Sequence, residues 1–323
     1  MRFDGEASEA VDGLVHQALI YGSDEEFTNV AAPFVEEAAL SREPALVAVG
    51  ERNLVNLRAA LGGPLPGVTL LPVEQWYETS AGTREKFGRW VSEHANGGRA
   101  RVIAEPPWAV GQEAQVRDWA RHESVLNLAF AERPVTFICP YDARALPPEI
   151  IRHARSTHPE IVDSSGVAPS EHYENPLEFC RRLDTSVSHP TEEPETELTF
   201  GLADLPALRR TIRSRAVEAG LPGARADELV LAVHEIATNA VVHGRSPATL
   251  RVWRANRELV FEVSDRGEGI KDALAGQLTP AAAGLGGRGL WLTRLLSDAV
   301  EISNGTGCTV AIHATAPDPV LAR

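Results

Sequence analysis

Along the first half of the chain, short β-rich apolar runs alternate with longer stretches whose apolar positions recur at helical spacing. The strand candidates are ALVAV (Ala45–Val49), VTLLP (Val68–Pro72), ARVIAEP (Ala100–Pro106) and VTFICPYD (Val135–Asp142). Between them lie helical patterns such as EFTNVAAPFVEEAAL and EAQVRDWARHESVLNLAFA. This alternation predicts a mostly parallel sheet covered by helices, with any ligand at the carboxyl ends of the strands.

The pattern breaks in DTSVSHPTEEPETE, Asp184 to Glu197, where apolar residues almost vanish and Pro, Glu, Ser and Thr take over. Such a segment cannot bury enough surface to order itself, so residues 184–196 are expected to be a linker between domains 1–183 and 197–323. The second domain reads differently. A strand near Glu197–Phe200 precedes helices over Leu205 to about Ala219 and about Arg225 to His243. The strands LRVWRA and ELVFEVSDRG, a Gly-rich stretch, the short helix GLWLTRLLSD and the strands AVEIS and CTVAIHA follow. Helices ahead of paired strands predict an α+β sandwich, with helices on one face of a mixed or antiparallel sheet.

Composition narrows the partners. At 323 residues, the chain has room for two ordinary domains. A formal net charge of −14 argues against a nucleic-acid duplex or an anionic bilayer, both themselves negative. Cys139, Cys180 and Cys308 are far apart and form no CxxC pair, so neither a disulfide framework nor a zinc cluster is indicated. With no export signal or membrane-length apolar run, a cytoplasmic protein is expected.

Three elements of the second domain carry candidate chemistry. In HEIATNAVVHG, His234 to Gly244, Leu229, Val233, Ile236 and Ala240 mark the core-facing side of a helix. Glu235, Asn239 and His243, four residues apart, form a polar stripe on a different side. His243 also suits a helix-terminal cation, with Gly244 supplying a left-handed stop. In SDRGEGI, Ser264 to Ile270, Asp265 sits at a strand end beside Gly267 and Gly269, where backbone can approach a ligand closely. In GLGGRGLW, Gly284 to Trp291, a glycine-rich loop opens a helix and offers free N–H groups to a phosphate, without the Lys-Ser/Thr of a Walker loop. Singly, each also reads as a solvated helix face, a turn or a surface loop.

Their order, closed by Gly307-Cys308-Thr309 at a strand start, resembles the N, G1 and G2 boxes of the GHKL ATPase superfamily. Glutamate four residues before asparagine, with His-Gly closing the helix, resembles the anti-sigma-factor serine/threonine kinases. The similarity spans about residues 197–314. It implies a Bergerat (GHKL) sandwich that binds ATP and Mg²⁺. Asn239 would ligate Mg²⁺ through its amide oxygen, Asp265 would accept from the adenine amino group, and Thr309 would support that contact. His243, Gly267 and Gly269 would line the nucleotide, and Gly284, Gly286, Gly287, Arg288 and Gly289 would form a lid over its phosphates. Glu235 would be the general base toward a substrate hydroxyl. The implied partners are a sigma factor and an antagonist protein, and the implied assembly is the homodimer common in that kinase family. The alanine-rich lid KDALAGQLTPAAAGLGGRG leaves a second reading open, a non-catalytic switch ordered by ATP.

The first domain, over about residues 10–180, resembles the MEDS sensory domain through HQALIYGSDEEF, FVEEAAL, CPYD and THP. The resemblance implies a small organic ligand. The strand-then-helix order is also RecA-like, but GERNLVN after the first strand lacks the phosphate-loop Lys-Ser/Thr pair, so no nucleotide hydrolysis is expected there. His16, Tyr21, Cys139, Tyr141, Asp142 and His158 are the candidate pocket residues. Two histidines and a cysteine among them follow no metal-ligand spacing, so packing or a polar pocket is expected, not a zinc site.

Overall fold

The computed structural model describes residues 13–95, 97–108, 112–184, 187, 193–245, 247–255, 257–280 and 287–316. Most of the expected linker lies outside these residues, as do Gly284 and Gly286 of the expected lid. The chain forms two compact units, and each has its own sheet. The second unit comprises the chain from Leu177 onward together with Thr79–Gly82 and the segment ending at Arg121.

The elements up to the linker are β1 (Val15–Tyr21), α1 (Asp24–Ser41), β2 (Ala45–Val49), α2 (Glu51–Leu61), β3 (Val68–Pro72), α3 (Ser80–His94), β4 (Ala100–Ala104), α4 (Glu113–Ala129), β5 (Val135–Asp142), α5 (Pro148–Thr157), β6 (Glu160–Asp163), β7 (Gly166–Pro169) and α6 (Pro176–Leu183). The sheet of the first unit runs β3-β2-β4-β5-β1-β6-β7, all parallel except for the terminal β6–β7 hairpin. All five residues of β2 are buried because helices cover both faces, which is why ALVAV is a continuous apolar run. On one face α1 and α2 pack through Phe27, Val35 and Leu54 against Leu19, Val47 and Ile138. On the other, Phe137 meets Phe87 and Phe130 edge-on at 5.2 and 5.3 Å. The start of α1 is defined locally: the Ser23 hydroxyl accepts the Glu26 N–H at 3.1 Å, and three acidic residues fill the first turn, where the helix dipole favours them.

The second unit continues with β8 (Thr196–Phe200), α7 (Leu205–Glu218), α8 (Gly223–Val242), β9 (Ala248–Ala255), β10 (Glu258–Asp265), α9 (Arg288–Leu295), β11 (Ala299–Asn304) and β12 (Cys308–Thr315). Its sheet, β11-β12-β10-β9-β8, is antiparallel throughout. Strand alternation sends Leu250, Phe261, Val263, Val310 and Ile312 toward the helices, where they meet Leu208, Ile212, Leu229, Val233 and Ile236. Among the described residues, no helix is long and apolar enough to cross a membrane.

Candidate functional site

The core face of α8 is the one its apolar spacing predicts, with Leu229, Val233, Ile236 and Ala240 buried. Glu235, half-buried, and Asn239, exposed, therefore lie off that face. His243 caps the helix by donating its N–H to the Asn239 carbonyl at 2.8 Å. Beneath this end of α8 lies a cavity of about 480 Å³. Its apolar lining includes Ile236, Ala240, Val263, Ile270, Leu290 and Val310, while Asn239, His243 and Asp265 supply polar groups. Gly267, Gly269 and Gly287 also border it.

The loop after β10 is drawn tightly around Asp265, whose carboxylate accepts the Gly267 N–H at 2.6 Å. A Cβ on Gly267 would stand 2.8 Å from both the Asp265 Oδ1 and the Gly244 Cα. Gly244 faces the same carboxylate, and its Cβ would fall 2.5 Å from the Asp265 Cγ. Gly244 is not left-handed, so the demand for glycine there comes from close approach and not from a helix stop. Asn304 clamps the far end of the loop, accepting the Ile270 N–H and donating to the Ile270 carbonyl, both at 2.8 Å.

Of the expected lid, Gly287, Arg288 and Gly289 are described. Gly287 has a left-handed φ of 86° and begins α9, Arg288 is exposed, and Gly289 presses against α8. A Cβ on Gly289 would meet the Glu235 Oε2 at 2.9 Å and the Asn239 amide nitrogen at 3.3 Å. Thr309 is the exception to the expected grouping. Its β12 neighbours Cys308 and Val310 line the cavity, so period-2 alternation turns Thr309 to the other face, 3.2 Å from the Ser264 hydroxyl.

In the first unit, the structure divides the candidate pocket residues into two groups. His16 on β1, Cys139 on β5 and His158 just after α5 converge in the interior, joined by Glu123 of α4. The His16 Nε2 lies 3.5 Å from the Cys139 Sγ and 3.4 Å from the Glu123 Oε2, which is 3.2 Å from the His158 Nε2. Tyr141 borders this group, its ring edge-on to His158 at 5.6 Å. Burial, then the neighbouring His16, pushes the His158 imidazole down to about 4. The two histidines and the cysteine follow no metal-ligand spacing in the sequence, yet strand pairing brings them together. Tyr21 and Asp142 have the opposite strand parity and stand apart. The Tyr21 hydroxyl accepts from Asn53 at 2.8 Å, and Asp142 pairs with Arg144 at 2.7 Å.

Comparison with known families separates the two units. The model described as MEthanogen/methylotroph, DcmR Sensory domain (MEDS) matches residues 15–159, and that described as Histidine kinase-like ATPase domain matches residues 198–313. The chain joins a MEDS domain to a histidine-kinase-like ATPase domain. Among solved structures, the Acinetobacter baumannii histidine kinase AdeS is similar at 11% identity, over 44% of this chain and 74% of that one, with a TM-score of 0.24. No match is found among curated proteins.

The cavity of the ATPase domain fits a nucleotide. Its apolar walls suit a purine ring, and the glycine cradle presents one Asp265 oxygen while Gly267 occupies the other. The ATPase family implies ATP, usually with Mg²⁺, and at the cavity rim the Asn239 amide offers the hard oxygen that ion prefers. The lining residues Ile236, Ala240 and Ile270 are not among those singled out in the sequence, because apolar lining looks like core. Gly244 was readable as a terminator only.

In the MEDS domain, the position where a phosphate loop would hold its anion is filled from within the chain. Glu105, just beyond β4, accepts the Gly50 N–H at 2.8 Å at the start of α2 and the Asn53 amide at 3.0 Å. Burial raises its pKa, and those two hydrogen bonds partly offset the rise.

Proposed function

We propose that the chain is an anti-sigma-factor regulator whose ATPase domain phosphorylates a serine or threonine of an antagonist protein under control of the MEDS domain. The observation that carries this reading is the close approach of Gly289 to both Glu235 and Asn239, of which Asn239 lines the cavity. Bound ATP supplies the phosphoryl group. Asn239 holds Mg²⁺ and Asp265 orients the base. Glu235 takes the proton of the incoming hydroxyl as its oxygen bonds to the γ-phosphorus and the bond to ADP breaks. The sigma factor, the antagonist, a small organic input ligand and a homodimer in the cytoplasm belong to this proposal.

The test is transfer from labelled ATP with Mg²⁺ to candidate antagonist proteins. Glu235→Gln should lower transfer by about a hundredfold or more while leaving ATP affinity within about threefold. ATP binding without transfer to any antagonist would instead favour the second reading, a non-catalytic switch in which ATP orders the lid and reshapes a partner surface. Its support is that Glu235 is not part of the cavity lining.

A further inference from the structure

The cluster of His16, Glu123, Cys139 and His158 is assembled from β1, α4, β5 and the residue following α5, and all four side chains are buried. The protonation of both imidazoles can be read from their outer nitrogens. The Asn127 amide nitrogen donates to the Ser124 and Thr157 carbonyls at 3.1 and 2.8 Å, so its oxygen is the atom facing the His16 Nδ1 at 3.1 Å. A carbonyl only accepts, so the Ala154 oxygen, 2.8 Å from the His158 Nδ1, also requires an N–H there. Each ring is thus held with a proton on Nδ1, and in the neutral imidazole form each Nε2 turns a lone pair inward.

Those lone pairs face a carboxylate and a sulfur in a dry interior. The Glu123 Oε2 and the His158 Nε2 lie 3.2 Å apart, and neither has a geometrically defined hydrogen bond among the described residues. Four ligand atoms converge here with the Cys139 S–H as the donor that the neutral cluster supplies, too few for the lone pairs that meet, and a cation at their centre would satisfy them. Tetrahedral coordination at roughly 2.0–2.3 Å places ligand atoms roughly 3.3–3.7 Å apart. Three of the six separations, 3.2, 3.4 and 3.5 Å, are close to those edges, and all the ligand atoms lie within 4.8 Å of one another. Outer hydrogen bonds from Nδ1 to a carbonyl or amide oxygen are also the arrangement that orients metal-ligating histidines.

We propose that His16, Glu123, Cys139 and His158 form a four-coordinate site for a resident divalent transition-metal ion, with zinc the best match to two imidazoles, one thiolate and one carboxylate. All four positions are supplied by protein, so the ion ties four segments of the MEDS domain together. Binding requires deprotonated sulfur and therefore releases the Cys139 proton.

Metal analysis of the full chain, purified under reducing conditions and reconstituted with zinc, should find about one equivalent. Cobalt in its place should give tetrahedral visible bands and a thiolate charge-transfer band. Cys139→Ser should abolish the charge-transfer band and His158→Gln should weaken metal affinity at least tenfold, whereas Cys180→Ser should retain both. Should a ligand variant fail to fold, the cobalt spectrum of the unaltered chain still decides. A folded, reduced wild-type chain that takes up less than about a tenth of an equivalent of zinc and shows no cobalt charge-transfer band overturns the proposal.

Discussion

Asp265 is confined on two sides by glycine, so single added carbons are the sharpest probes of the nucleotide site. Gly267→Ala places a methyl group 2.8 Å from the Asp265 Oδ1 and should weaken ATP binding at least about tenfold without unfolding the ATPase domain. Titration with a fluorescent ATP analogue, alongside circular dichroism, separates the two effects. Asn239→Ala should abolish Mg²⁺-dependent binding in the same titration, whereas His243→Ala, at an exposed helix end, should change it less than about threefold. At this scale chemistry and spacing in the sequence singled out Asn239 and Asp265, which line the cavity, and Glu235, which stands beside Gly289 outside that lining. It misled at Thr309, where residue type outweighed strand parity: the neighbouring Cys308 and Val310 are the ones on the cavity side. Glu123 was invisible because one glutamate in an amphipathic helix gives no sign that two histidines and a cysteine wait beyond it.

Among the elements, β10, β11 and β12 of the ATPase sheet share a buried charge on the face away from the nucleotide. His313 lies between Glu258, 2.9 Å from its Nδ1, and Glu301, 3.1 Å from its Nε2. Serving two carboxylates requires two N–H donors, hence an imidazolium. Burial alone would push the His313 pKa down, but these two carboxylates raise it to about 9. Because the folded value exceeds the unfolded one, the resulting stability is complete below about pH 6.5 and is lost as pH rises through about 9. The contribution is of the order of 3 kcal/mol. Thermal unfolding should therefore show a falling midpoint from about pH 7 to about pH 10, and His313→Gln should be less stable at about pH 6 and lose most of that slope. Strand positions themselves were largely readable: ALVAV, VTLLP and VTFICPYD coincide with β2, β3 and β5. The β6–β7 hairpin was not, since strands of four residues are too short to display a period.

For the whole molecule, the division into a parallel and an antiparallel sheet followed from the order of patterns along the chain, while the exact partition did not. Thr79–Gly82 and the segment ending at Arg121 belong to the second unit because of contacts far away in sequence, which no local periodicity encodes. The net charge of −14 makes one global prediction: at about 0.15 M salt, duplex DNA should not retard in a gel-shift titration, and site-specific retention would contradict the reading of a protein-directed regulator. The parallel sheet also sets a timetable. β1, made before the rest of its sheet, pairs with β5 and β6, so Val15 must wait for Thr136 and Gln17 for Glu160. At roughly 5–20 residues per second, the ribosome needs roughly 7–30 s after His16 to deliver His158. Until β5 is made the nascent MEDS domain has an unpaired central strand, so this half of the protein is the one whose yield should depend on chaperones during synthesis.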